Sequence, residues 1–105
     1  MQIQCNTDRN IAGDEAMTQL VESVAHGALD RFSEQITRVE IHVSDANSDK
    51  KGGSDVIRCL MEARLGGMQP VAVTHNAGTV VEAVDGAAGK RQRSLESTLG
   101  RLNQR

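Results

Sequence analysis

A chain of 105 residues with 12 Lys and Arg against 14 Asp and Glu can bury one modest core, and its net charge of −2 excludes a global basic field. Phe32 is its one aromatic residue, which excludes stacking of successive bases on aromatic platforms; any RNA contact must run through phosphates, sugars and shape. Cys5 and Cys59 are too few for a disulfide framework, the polar start Met-Gln-Ile-Gln-Cys is not a signal peptide, and no apolar run reaches membrane-spanning length, so the expectation is a cytoplasmic protein.

Residues 2–6 alternate, with Ile3 and Cys5 on one side and Gln2 and Gln4 on the other, as in a short half-buried strand. After a polar turn the pattern becomes helical from Asp14, with Met17, Leu20, Val21, Val24, Ala28 and Leu29 on one stripe that Phe32 closes. Gly27 inside this helix marks either close packing on a sheet or a tolerated weak point. Residues 37–44 and 55–65 alternate again, separated by a loop rich in Asp, Asn, Ser, Lys and Gly. Gly66-Gly67 signals a hairpin turn into a further strand at 70–75, where Pro70 suits a strand start.

The last segment, from Thr79 to Arg105, is a second helix. Thr79 and Glu82 have the spacing of a capping box, and Val84, Ala87, Ala88, Leu95, Leu99 and Leu102 recur at helical spacing behind it. Gly86 and Gly89 either allow close helix packing or soften the helix locally. The order β-α-β-β-β-α predicts an α/β (α+β) two-layer sandwich: a four-stranded mixed sheet with both helices on one face, strand 1 parallel to its neighbour and the rest antiparallel. The outer sheet face then shows Arg38, Glu40, His42, Arg58, Glu62 and Arg64, whose mixed signs read as stabilising pairs directly across strands.

Charge is unevenly spread. Residues 90–105 hold five cations and one acid, net +4, whereas residues 1–89 hold seven cations and thirteen acids, net −6. Cations suit a helix C-terminal half on dipole grounds, and they also suit a polyanion. Lys90, Arg93 and Arg101 lie off the apolar seam and can reach outward; Arg91 lies on it, so its stem is expected to cover apolar surface while its head snorkels out.

Rival chemistry is absent from the pattern. His26, His42 and His75 are dispersed, and the cysteines follow no zinc spacing, so no metal site is expected. Cys59 falls on an inward-facing set, which argues against a reactive thiol paired with His75. No nucleophile elbow, P-loop or dinucleotide fingerprint occurs, so no catalytic residues, cofactor or small-molecule substrate are expected.

The segment from Glu82 through Asp85, Lys90 and Arg93 to Leu95 resembles the Ala-Ile-Asp…Asp-Lys-Leu-x-Arg-Gln-Leu run of the ribosome hibernation-promoting factors and related ribosome-associated inhibitors, and the first strand and element order are similar to theirs. The resemblance implies a non-enzymatic, cytoplasmic factor that binds the small ribosomal subunit through rRNA phosphates and silences translation under stress. It implies one ribosome-binding domain over 1–105, the short form without a C-terminal dimerisation domain, monomeric off the ribosome and without membrane contact. By position, Lys90 and Arg93 match the family's helix cations and Asp85 its acidic position; Arg91, Gly89 and Val81 depart from it. The expected rRNA-binding set is Lys90, Arg91, Arg93 and Arg101, with Arg64, Lys50 and Lys51 as auxiliaries. The first helix bears Asp14, Glu15, Glu22 and Asp30 against Arg31, which suits an alternative: a protein-interaction module of the same fold that has lost rRNA affinity.

Overall fold

The computed structural model describes residues 1–8, 15–45 and 56–103. The predicted helix start at Asp14 and the lysines Lys50 and Lys51 lie outside the described residues. The elements run β1 (Gln2–Thr7), α1 (Glu15–Leu29), a single 3-10 turn (Asp30–Phe32), β2 (Ile36–Asp45), β3 (Ile57–Leu65), β4 (Val71–Ala77) and α2 (Val80–Asn103). The sheet order is β1-β2-β3-β4, with β1 parallel to β2 and the other pairs antiparallel. This is the expected two-layer α/β sandwich, with β1 and β4 at the sheet edges.

Strand alternation decides which side chains meet the helices. Val39, Ile41 and Val43 of β2 and Ile57, Cys59, Met61, Ala63 and Leu65 of β3 are all buried beneath them. From α1 come Val21, Ala25 and Leu29, with Phe32 sealing the end where the helix tightens. Leu20, expected on this stripe, is instead 46 % exposed. It lies about 100° from Val21 on the helix, on the far side from Ala25, which takes the central position.

The sequence α2 presents to the sheet is mostly small: Ala83, Val84, Ala87 and Ala88 are buried, followed by Leu95. Short side chains let a helix axis approach a sheet closely, and the two central glycines divide over this point. A Cβ on Gly86 would lie 2.1 Å from His75 Cδ2, so the missing methyl is what lets the β4 imidazole rest on the helix backbone. A Cβ on Gly89 would make only ordinary contact with the end of the Arg93 side chain, and one on Gly27 would meet open space. Gly86 is thus the close-packing glycine, and Gly27 is a weak point carrying its ordinary helix cost of about 1 kcal/mol.

The outer face corrects the predicted charge pairing. Register sets Arg38 opposite Arg64 and Glu40 opposite Glu62, so like charges face each other across β2 and β3. Opposite charges meet along a strand instead, with Arg38 Nη2 3.0 Å from Glu40 Oε1. Alternation alone gives the face of each residue but not its partner, because the partner depends on the length of the connection between the strands.

The Gly86–His75 contact yields a prediction. Gly86→Ala should lower stability by about 1–2 kcal/mol through overpacking, despite the helix propensity it gains. His75→Ala combined with Gly86→Ala should recover that loss, measured as the midpoint of urea unfolding.

Candidate nucleic-acid interface

The basic helix is built from its capped start. Thr79 Oγ1 accepts from the Glu82 backbone N–H at 3.2 Å, and its own hydroxyl donates to Glu82 Oε1 at 3.0 Å. The first intrahelical bond, Ala83 N–H to Thr79 C=O at 3.0 Å, follows from this cap. Thr79 and Glu82 form the expected pair, with the carboxylate turned to the hydroxyl.

Lys90 and Arg93, three residues apart on one helix face, are both exposed. The Lys90 ammonium reaches the sheet edge, where Nζ donates to the Thr74 carbonyl of β4 at 2.9 Å. That bond uses one of three ammonium protons and fixes the charge above the β4 edge. Arg93 has no ion pair among the described residues. Arg101 lies within α2, and its side chain is outside the described set.

Arg91 behaves differently from Lys90 and Arg93. Its residue is only 2 % exposed, and the head does not snorkel. Nη1 donates to Ser94 Oγ at 2.7 Å and Nη2 to the Ala63 carbonyl at 3.3 Å, while the buried Nε has no partner. Among the described residues no carboxylate pairs with it, and burial lowers its pKa. The close approach of α2 to β3 leaves the guanidinium no path outward, so Arg91 leaves the set of side chains able to touch a phosphate.

Arg64 is exposed on the outer sheet face, beside Arg38, Glu40 and Glu62, and thus on the opposite side of the sheet from α2. The structure does not bring it together with Lys90 and Arg93. Arg31 is tied to Glu96 by an ion pair that joins the end of α1 to α2. Arg58 is marked by the alternation of β3 as a cross-strand partner only. It stands opposite Asn76 of β4 and donates from Nε to Asn76 Oδ1 at 3.4 Å, near the Lys90 end of the sheet. Only the β3–β4 register could have placed it there.

The remaining chemistry is inert. Burial raises the Cys5 thiol, and it pushes Cys59 from 9.0 up to about 12, with a smaller contribution from Cys5. Among the described residues no three His, Cys, Asp or Glu side chains are grouped to hold a metal ion. No helix there is long and apolar enough to cross a membrane.

Fold and cations together define a small α/β sandwich whose second helix carries outward-facing positive charge beside a free sheet edge. A model of the Sigma 54 modulation protein / S30EA ribosomal protein family matches residues 6–103, and the chain belongs to that family. It is a family of non-enzymatic, ribosome-binding factors of ribosome hibernation, which makes this chain a ribosome-associated factor rather than an enzyme. Among solved structures, the chain resembles the Protein Y N-terminal domain of Thermus thermophilus at 20 % identity and a TM-score of 0.73, covering 93 % of this chain and 99 % of that one. It also resembles a ribosomal subunit interface protein from Coxiella burnetii at 16 % identity and a TM-score of 0.75, covering 95 % and 99 %. At these identities the likeness is one of fold. A comparison with curated protein sequences finds no match.

Two predictions follow from the buried groups. Arg91→Leu removes a buried cation that has no carboxylate partner among the described residues while keeping apolar bulk, and should leave the protein as stable or about 1 kcal/mol more stable in urea unfolding. Cys59 is held protonated in the fold, so its contribution is fully present below pH 9.0 and is lost as pH rises toward about 12. The unfolding free energy of Cys59→Ala should therefore fall less steeply between about pH 9 and 11 than that of the wild type.

Proposed function

We propose that this chain binds the small ribosomal subunit through rRNA phosphates and silences translation reversibly under stress or in stationary phase. Lys90 and Arg93 are its principal contacts, with Arg101 extending the same stripe about three turns along α2. The observation that carries this reading is the family match over residues 6–103 on a helix whose Lys90 and Arg93 point outward. In the same reading residues 1–105 act as one ribosome-binding domain, cytoplasmic and monomeric off the ribosome. Lys50 and Lys51 serve as auxiliaries, and Arg64 serves only if the outer sheet face also meets RNA.

The physical basis is counterion release. A few exposed cations on a helix cannot read base identity, but they neutralise phosphates and so bind in a strongly salt-dependent way. Three such contacts correspond to a slope of log affinity against log salt of about −2 to −3. Glu15 and Glu22 of α1 and Asp30 of the 3-10 turn after it disfavour docking of a polyanion on that helix and leave the α2 and β4 side open to it.

Cosedimentation with ribosomes across a salt series tests the proposal. The wild type should pellet with ribosomes at low salt and be released steeply as salt rises. Lys90→Glu with Arg93→Glu should abolish pelleting. Undiminished pelleting of that double variant would overturn the residue assignment, and failure of the wild type to pellet would overturn the function. RNase-insensitive capture of a non-ribosomal protein would favour the interaction-module reading instead.

A further inference from the structure

Beside the Lys90 stripe, an open cleft of about 550 Å³ wraps the β4 edge, lined by Arg58, Leu60, Thr74, His75, Asn76 and Lys90. It draws on both layers of the molecule. Arg58, Leu60, Thr74 and Asn76 belong to the outer face of β3 and β4, whereas His75 sits on the helix face and Lys90 comes down from α2. Two permanent cations from different elements therefore converge on one hollow, and among the described residues no carboxylate lines it.

We propose that this cleft is a binding subsite for one phosphodiester of a single-stranded RNA segment, held between Arg58 and Lys90 with its ribose against Leu60. The inference rests on the ribosome-binding reading and extends it from Lys90 around the β4 edge to Arg58, which lies outside the cation set the sequence predicts. The Lys90 ammonium keeps two protons after its bond to the Thr74 carbonyl, and these are available to a phosphate oxygen. Arg58 spends Nε on a long 3.4 Å bond to Asn76, which leaves both Nη groups to form a fork toward an anion. The Thr74 and Asn76 side chains supply neutral donors and acceptors of the kind that meet a ribose hydroxyl. Leu60 is half-buried on an otherwise polar face and gives the sugar an apolar wall.

Backbone recognition is also what the aromatic content leaves open. Phe32 is buried, with the Arg31 guanidinium 4.8 Å from its ring centre, so no aromatic face is offered to a base. A ligand in this cleft is therefore bound by charge and sugar, without base identity.

The test uses the 15N-labelled 105-residue chain, titrated at low salt with a short uridine oligoribonucleotide and separately with inorganic phosphate. The expected result is amide shifts at Arg58, Thr74, His75 and Asn76 that saturate with the oligonucleotide, and much weaker binding of phosphate alone. Arg58→Gln should weaken oligonucleotide binding roughly threefold to tenfold, whereas Arg38→Gln, an equal loss of charge elsewhere on the outer face, should change it less than about twofold. Equal effects of the two variants, shifts confined to other residues, or phosphate binding as tight as the oligonucleotide would each overturn the subsite. Ribosome pelleting separates this outcome from the underlying reading. Pelleting lost in the Lys90 and Arg93 double variant with Arg58→Gln indistinguishable from Arg38→Gln sinks the subsite alone. An oligonucleotide that shifts the cleft while the wild type fails to pellet with ribosomes sinks the ribosome reading alone.

Discussion

The distance between α2 and the sheet governs most of what this molecule presents to its surroundings. It is set by a run of small residues, Ala83, Gly86, Ala87 and Ala88, and most sharply by the missing methyl at Gly86 against the His75 ring. With the helix this low, Arg91 has no exit and turns its guanidinium onto the Ala63 carbonyl. The same height lets the adjacent Lys90, about 100° around the helix, span to the β4 edge. A single packing constraint thus removes one cation from the surface and anchors the next.

Charge then works by placement rather than by sum. The chain is slightly acidic, yet its cations are placed: α1 carries Glu15 and the half-buried Glu22 and no Lys or Arg, whereas α2 exposes Lys90 and Arg93 beyond the acids Glu82 and Asp85 of its first turns. Where the helices meet, the Arg31–Glu96 ion pair consumes one charge of each sign. Exposed pairs of this kind add little stability, about 0–1 kcal/mol, so its effect is chiefly to keep Arg31 from adding to the basic surface. What remains positive lies on the β4 side of α2, on Arg93, Lys90 and, around the edge, Arg58.

Much of this was legible in the sequence, and the losses have identifiable causes. The alternation from Ile57 to Leu65 and the apolar stripe of α2 give element type and buried face, because side-chain period is a local property of the backbone. The Thr79–Glu82 cap is local for the same reason. The burial of Arg91 is not encoded locally, because helical spacing gives an angle around the axis but no depth, and depth depends on the alanines beside it. The proximity of Arg58 to Lys90, and the like-charge rows on β2 and β3, required register across connections whose geometry no short-range pattern encodes.

Those like-charge rows have a consequence for how the fold is specified. Sliding β3 by two residues along β2 would keep every side chain on its own face and would set Arg38 opposite Glu62. The solvent face would then gain an attractive pair, so its electrostatics favour a register different from the one the molecule adopts. The native register must be imposed from beneath, by the fit of Val39 to Ala63 and Ile41 to Met61, against a locally frustrated exterior. Conflict between levels of this kind is characteristic of surfaces whose residues are retained for something other than stability, which sets the outer sheet face apart from the rest of the domain.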